Sequence, residues 1–222
     1  MKNGRLPPGT GKLDRFKVNR AGQQEAIWQP LYDYLTYASV GQTELSFFAN
    51  PIGQGATSHP GSTGPKTRAD TNMDLAGTLP SPQRFLVTSL EVLFWPAEAI
   101  ASTNDGDAGT QFNDVSDVLS SGYLSMRIGS KEYINDGPLQ VFPPTTRLAG
   151  SAALADTTTP GANQLRHINY ATGAGQVYEI SPFYIPSNQN FSVKLVWPNA
   201  VPITADARIG VRLNGFLYRL SQ

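Results

Sequence analysis

Cysteine is absent from this 222-residue chain. That excludes a disulfide framework, a Cys-ligated zinc site, an iron–sulfur cluster and a thiol nucleophile, and it fits a chain that matures in a reducing compartment. Charge is scarce as well. Asp, Glu, Lys and Arg make up 15% of the residues and the formal net charge is zero, against about 25% charged residues in an average soluble domain. Low net charge favours association, which suits a chain that meets other chains better than a solitary one. No apolar run approaches the ~20 residues of a membrane-spanning helix. Met1 to Arg20 has no apolar stretch of the kind a secretory leader needs.

What is abundant is punctuation. The chain has 21 glycines and 17 prolines, above the usual ~7% and ~5%. So many turns suit short strands better than long helices. A chain of this size buries roughly 70% of its unfolded surface, enough for one substantial core without covalent staples.

Charge is also unevenly placed. Residues 1–20 carry six basic side chains (Lys2, Arg5, Lys12, Arg15, Lys17, Arg20) against the single acid Asp14. The rest of the chain is net negative by the same amount. Pro7-Pro8-Gly9 and Gly11 lie in this stretch, which reads as an extended basic arm. Over 24–40, Ile27, Trp28, Leu31, Tyr34, Leu35 and Tyr37 fall at spacings of three and four. That allows a short amphipathic helix, interrupted at Pro30. The expected organisation is an arm with this helix over 1–40 and a β-domain over 41–222.

Within the β-domain, strands are expected at Glu44–Ala49, Phe85–Trp95, Tyr123–Ile128, Tyr178–Ile185, Phe191–Trp197 and Arg208–Leu220, with Leu139–Phe142 a further short piece. The alternation predicts one face of Leu86, Leu90, Val92 and Phe94 in the second of these. Pro182 marks the fourth as an edge or bent strand. Asn214-Gly215 signals a bulge or turn in the last. The stretches 50–70, 101–122 and 145–175 read as long loops, with a short helix at Val115–Leu119. Seven or eight strands, long connections and almost no helix predict an all-β sandwich with Greek-key connections, of which the jelly roll is the common large form.

Several chemical signals are present but incomplete. Pro7 to Lys12 resembles a nucleotide-binding loop, yet Leu6 stands where its first glycine belongs and Leu13 where it needs Ser or Thr. Asn104-Asp105-Gly106-Asp107 clusters the oxygens that calcium favours, without the further ligands of an EF-hand. Asp105 and Asp107 are thus the candidates for a cation, and no metal or cofactor site is expected. His59 and His167 have no spaced partner ligands, and no Gly-x-Ser-x-Gly elbow occurs. Glu91 and Glu179 could form a glycosidase pair, though carboxylates on a strand's outer face are common. Trp28, Trp95, Trp197 and nine tyrosines could form a sugar platform. For Trp95 and Trp197, in phase with apolar neighbours, core or interface packing is expected. Phe94-Trp95-Pro96 and Val196-Trp197-Pro198 echo each other, and are read as two unrelated strands ending at proline.

Three segments carry a family resemblance: Thr71-Asn72-Met73-Asp74-Leu75 with Leu79-Pro80 leading into the long strand, Pro182 to Phe191, and Gly210 to Arg219. With the basic arm ahead of them, residues 70–222 resemble the single jelly-roll capsid (coat) proteins of small icosahedral viruses, including tailless phages. The resemblance is one of architecture, without a diagnostic motif. It implies a non-enzymatic structural protein of the virion, assembled in the host cytoplasm. Its partners would be copies of itself and other capsid proteins, with no small-molecule substrate. The arm would make non-specific contact with nucleic acid or an internal membrane. The alternative on the same fold class is a phage tail, spike or lectin-like receptor-binding module.

Overall fold

A computed structural model describes residues 24–59, 61–96, 110–152, 166–172 and 177–220. The described chain is mostly strand: β1 (Gln24–Trp28), β2 (Leu31–Tyr37), β3 (Glu44–Phe47), β4 (Arg84–Trp95), β5 (Tyr123–Ile128), β6 (Lys131–Pro138), β7 (Thr146–Ala152), β8 (Arg166–Thr172), β9 (Tyr178–Ile185), β10 (Phe191–Val196) and β11 (Ala207–Leu220). One α-helix, α1 (Thr110–Ser121), precedes β5, and a 3-10 turn covers Leu139–Val141.

Two antiparallel sheets form a sandwich. The first has the order β1-β11-β4-β9, with β2 also on β11, and the second the order β3-β10-β5-β6. The pairing is nested. β1 and β2 pair with β11, β3 with β10, β4 with β9 and β5 with β6. Each pair is antiparallel, and each lies inside the previous one along the sequence. Apolar side chains from both sheets close the core: Leu90, Val92, Ile209, Val211 and Leu213 from the first, Phe47, Leu124, Met126, Val193 and Leu195 from the second.

The short helix expected over 24–40 does not form, and the sandwich begins ahead of residue 41. β1 and β2 run along β11 in one unbroken register, Trp28 opposite Phe216 and Leu31 opposite Leu213. Pro30 interrupts this ladder because it has no N–H to donate, and an edge strand tolerates that gap. Gln29 still donates its N–H to the Gly215 carbonyl at 3.3 Å. The spacing of three and four was compatible with a strand because both faces of β2 are largely covered. Leu31, Leu35 and Tyr37 face the core, while Tyr34 is buried too.

The face expected for β4 is also corrected. Thr88 is an extra residue opposite Asn214/Gly215, where the β4–β11 register shifts. The bulge flips the phase of the strand. Phe85 and Val87 join Leu90, Val92 and Phe94 in the core, and Leu86 turns to the outer face. The bulge signalled by Asn214-Gly215 is therefore present, but the extra residue sits on β4. β11 keeps its phase, so Phe216 and Tyr218 lie opposite Trp28 and Ala26 on the outer face. Gly215 is required there: a Cβ on it would lie 1.8 Å from the Leu86 carbonyl oxygen.

Pro182 falls in a second irregularity, between Val87 and Ser89 on β4 and their partners Phe183 and Glu179 on β9. β9 is an edge strand, as its proline predicts. The stretch 145–175 is not all loop, since β7 and β8 pair antiparallel within it. Leu139–Val141 forms a 3-10 turn, where a short extended piece was expected. α1 extends the helix expected at Val115–Leu119, and buries Val118. Trp95 closes β4 in one sheet and Trp197 follows β10 in the other, so the two Trp-Pro echoes belong to a single sandwich.

Candidate interaction surface

The outer face of the first sheet divides into two halves. One half is a polar lattice on β2, β4 and β11. Glu91 sits on this face, opposite Arg212, yet is only 1% exposed. Its carboxylate accepts from Asn214 Nδ2 at 2.6 Å and from the Thr145 N–H at 3.1 Å. It also accepts from the Thr145 hydroxyl at 3.1 Å and lies 3.5 Å from an Arg212 amino group. A buried carboxylate needs such partners. The consequence is mechanical: Glu91 clamps Thr145, the residue that leads into β7, against the sheet. Beside it, the Arg208 guanidinium stacks 4.0 Å over the Tyr34 ring, a cation–π geometry. Tyr34 in turn covers Gly210, where a Cβ would meet the ring at 2.2 Å.

The other half is aromatic and more open. Trp28 on β1 meets Phe216 on β11 edge-on, with ring centroids 5.1 Å apart, and is 63% exposed. Next to them Arg84 lies 5.2 Å over Tyr184 and 5.1 Å over Tyr218, and donates to Gln24 Oε1 at 2.8 Å. Burial first, then the neighbouring Tyr184, pushes the Tyr218 hydroxyl up to about 12. The rings stand in line because β11 keeps its phase past Gly215 while β1 follows in register. Flat aromatic faces with one cation offer stacking and cation–π contacts, and so support binding.

The 50–75 segment folds over the outer edge of β2. Tyr34 donates its N–H to the Asp70 carbonyl at 2.8 Å, and Asp33 bridges to Thr71. Asp70 holds the segment together. It accepts from the Ser58 hydroxyl at 2.5 Å, the Ser58 N–H at 2.9 Å and the Thr67 N–H at 2.9 Å. Burial opposes its charge, but the hydrogen bonds from Ser58 and Thr67 outweigh it and hold the carboxyl well below the usual range. Arg208 ties this knot to the sheet through Ser58 Oγ at 2.8 Å. Deeper in, Lys66 Nζ donates to Asp33 Oδ1 at 2.5 Å, with both side chains essentially inaccessible.

The arm residues Lys2, Arg5, Lys12, Arg15, Lys17 and Arg20 lie outside the described residues, as do the cation candidates Asp105 and Asp107. Among the described residues, no three His, Asp or Glu side chains come close enough to hold a metal ion. His59 is exposed in the 50–70 loop, and His167 lies in β8 opposite Ser151. Glu179 is exposed on β9, opposite Ser89, whereas Glu91 is committed to its structural partners. Trp197 packs in the core and donates Nε1–H to the Val118 carbonyl at 2.9 Å, and Trp95 is half-buried.

Sequence reasoning missed the Trp28–Phe216–Arg84 group and the Asp33–Lys66 pair. Alternation in β11 was a usable signal for the first; nothing local marks the second. No protein-family model matches the chain, and comparison with curated proteins and with solved structures finds no match.

Proposed function

We propose that this chain is a single jelly-roll capsid subunit that assembles with copies of itself, and with other capsid proteins, into an icosahedral shell. The observation that carries the reading is the nested pairing of the sandwich, first strand with last and inward to β5 with β6. A long hairpin rolled into two four-stranded sheets is the jelly-roll plan, a fold of viral shells and of lectins. Fold alone does not assign function, so the surface must support the choice. Low charge and zero net charge favour association. Large apolar side chains also stand exposed, among them Val40 at 79% and Trp28 at 63%.

The arm fits the same reading. Gln24, the first described residue, lies opposite Leu220, and the basic residues 1–20 precede it in the sequence. Clustered Lys and Arg neutralise phosphate without a defined fold, whether on a genome or on an internal membrane. No catalytic residue is needed, and the place of action is the virion after assembly in the host cytoplasm. A second reading, a tail, spike or lectin-like receptor-binding module, draws on the exposed Trp28 platform.

The test is negative-stain electron microscopy with light scattering on the purified chain across a salt series. Uniform closed particles or stable capsomers are expected, with assembly weakened when residues 1–20 are deleted. A salt-independent monomer or small closed oligomer that binds glycan would replace this reading with the second.

A further inference from the structure

We propose that Lys66 and Asp33 condense into an intramolecular isopeptide bond, making the Asp33–Lys66 contact a self-processed cross-link between β2 and the 50–70 loop. This stands on geometry independent of any assembly. Lys66 Nζ lies 2.5 Å from Asp33 Oδ1, and the side chains are 1% and 0% exposed. The second carboxylate oxygen, Oδ2, accepts the backbone N–H of Phe48 at 2.7 Å. Phe48 adopts a positive φ of 65°, a backbone region that a bulky side chain normally avoids. Such strain persists only where the surroundings enforce it, and it marks sites of function. Here the strained residue aims its N–H at the oxygen on which negative charge would build during attack on Cγ, which is the task of an oxyanion-stabilising donor. The pair is pre-positioned from both sides. Asp33 is set by the β2–β11 register. Lys66 is set by backbone bonds, its carbonyl accepting from Gly53 N–H at 2.8 Å.

A proton passes along the existing hydrogen bond from the Nζ ammonium to Oδ1, leaving a neutral amine and a neutral acid. Burial favours this because it works against charge on Asp33, whose carboxyl is raised above its ordinary range mainly by desolvation. The Nζ lone pair then forms the Cγ–Nζ bond, and the Cγ–Oδ2 π pair moves onto Oδ2, facing the Phe48 N–H. Collapse restores Cγ=Oδ2 and breaks Cγ–Oδ1. A second Nζ proton joins the departing oxygen, which leaves as water, and one proton remains on the new amide nitrogen. Nothing is oxidised or reduced. The product replaces two buried charges, costly to hold in an apolar core, by one neutral amide, and it closes the loop between residues 33 and 66 covalently.

Intact-mass spectrometry of the folded full chain tests this. The expected mass lies one water below that of the sequence, and proteolysis yields a branched peptide joining the Asp33 and Lys66 fragments. Lys66→Arg, which keeps the positive charge but forms no such amide, is expected at its full sequence mass. The proposal is overturned if the folded wild-type chain has the full sequence mass. It is equally overturned if a water deficit persists in Lys66→Arg or maps to a cyclised Asp105-Gly106 or Asp136-Gly137. Should Lys66→Arg not fold, the wild-type peptide map alone decides.

Discussion

Substituting Gly215 by alanine probes the contact that sets the phase of the whole first sheet. Gly215 pairs with Val87 next to the extra residue Thr88, where the β4–β11 register shifts. An added Cβ would stand 1.8 Å from the Leu86 carbonyl oxygen and 2.9 Å from its carbon, both below the 3.0 Å that real Cβ atoms keep. The obstacle is backbone in a central ladder, so no rotamer change relieves it. Overpacking of a tight interior costs about 1–3 kcal/mol, occasionally more. Replacing a strand glycine recovers only ~0.5–1 kcal/mol of chain entropy. The clash with backbone places the cost at the upper end, so a net loss of about 2 kcal/mol is expected. In a chain of this size that lowers Tm by roughly 4–8 °C. Urea unfolding followed by tryptophan fluorescence, to which the buried Trp197 contributes, measures it. Gly53→Ala serves as control, because no atom lies within 4 Å of that Cβ and only its positive φ of 83° is strained. A Gly215→Ala protein within ~0.5 kcal/mol of wild type would refute the close approach and the bulge phase argued from it.

Other outcomes follow from the same contacts. Lys66→Met leaves no amine to join to Asp33 and keeps its carboxylate buried without a cation, which should cost at least ~3–5 kcal/mol at neutral pH. Burial raises the Asp33 carboxyl, so in that variant the folded state binds the proton more tightly than the unfolded state, and stability returns as pH falls through the folded-state value; urea titrations at several pH values read this. Asp70 works the other way. Its carboxyl is held low in the fold, so its contribution is full above the unfolded value and is lost as pH falls below it. Asp70→Asn should therefore flatten the acid limb of the stability curve. Glu91→Ala orphans donors from Asn214 and Thr145, costs roughly 1–3 kcal/mol, and speeds amide exchange at Thr145 and Thr146. Trp28→Ala, at an exposed position, should leave the unfolding midpoint of the subunit nearly unchanged while reducing particle formation seen by light scattering.

Parts of the fold were legible in the sequence because their signals are local. Phe191 to Val196 alternates without interruption and forms a strand whose odd positions are buried. Pro182 announced an edge or bent strand, and β9 lies at a sheet edge, where a residue without an N–H is tolerated because one ladder is missing. Tyr123 to Ile128, bounded by Gly122 and Gly129, is a strand with both limits as expected. The candidate surface was less legible. Trp28 lies 56 residues from Arg84 and 188 from Phe216 along the chain, and the three meet only because β1, β4 and β11 share a sheet; no short window contains the group.

The sequence by itself determined the class of this protein. Frequent Gly and Pro and two-residue alternation are properties of composition and neighbours, and they point to a mostly β chain with many turns. Along β4, tertiary structure alone decided which alternating residues face the core. Side-chain phase is inherited from pairing partners, and one extra residue at Thr88 reverses it for Phe85, Leu86 and Val87. It also decided that residues 24–37 are strand, because β11 supplies a register that local spacing does not encode. The same holds for Asp33 and Lys66. Each reads alone as an ordinary surface charge, and only the folding of the 50–70 loop across β2 brings them together out of water.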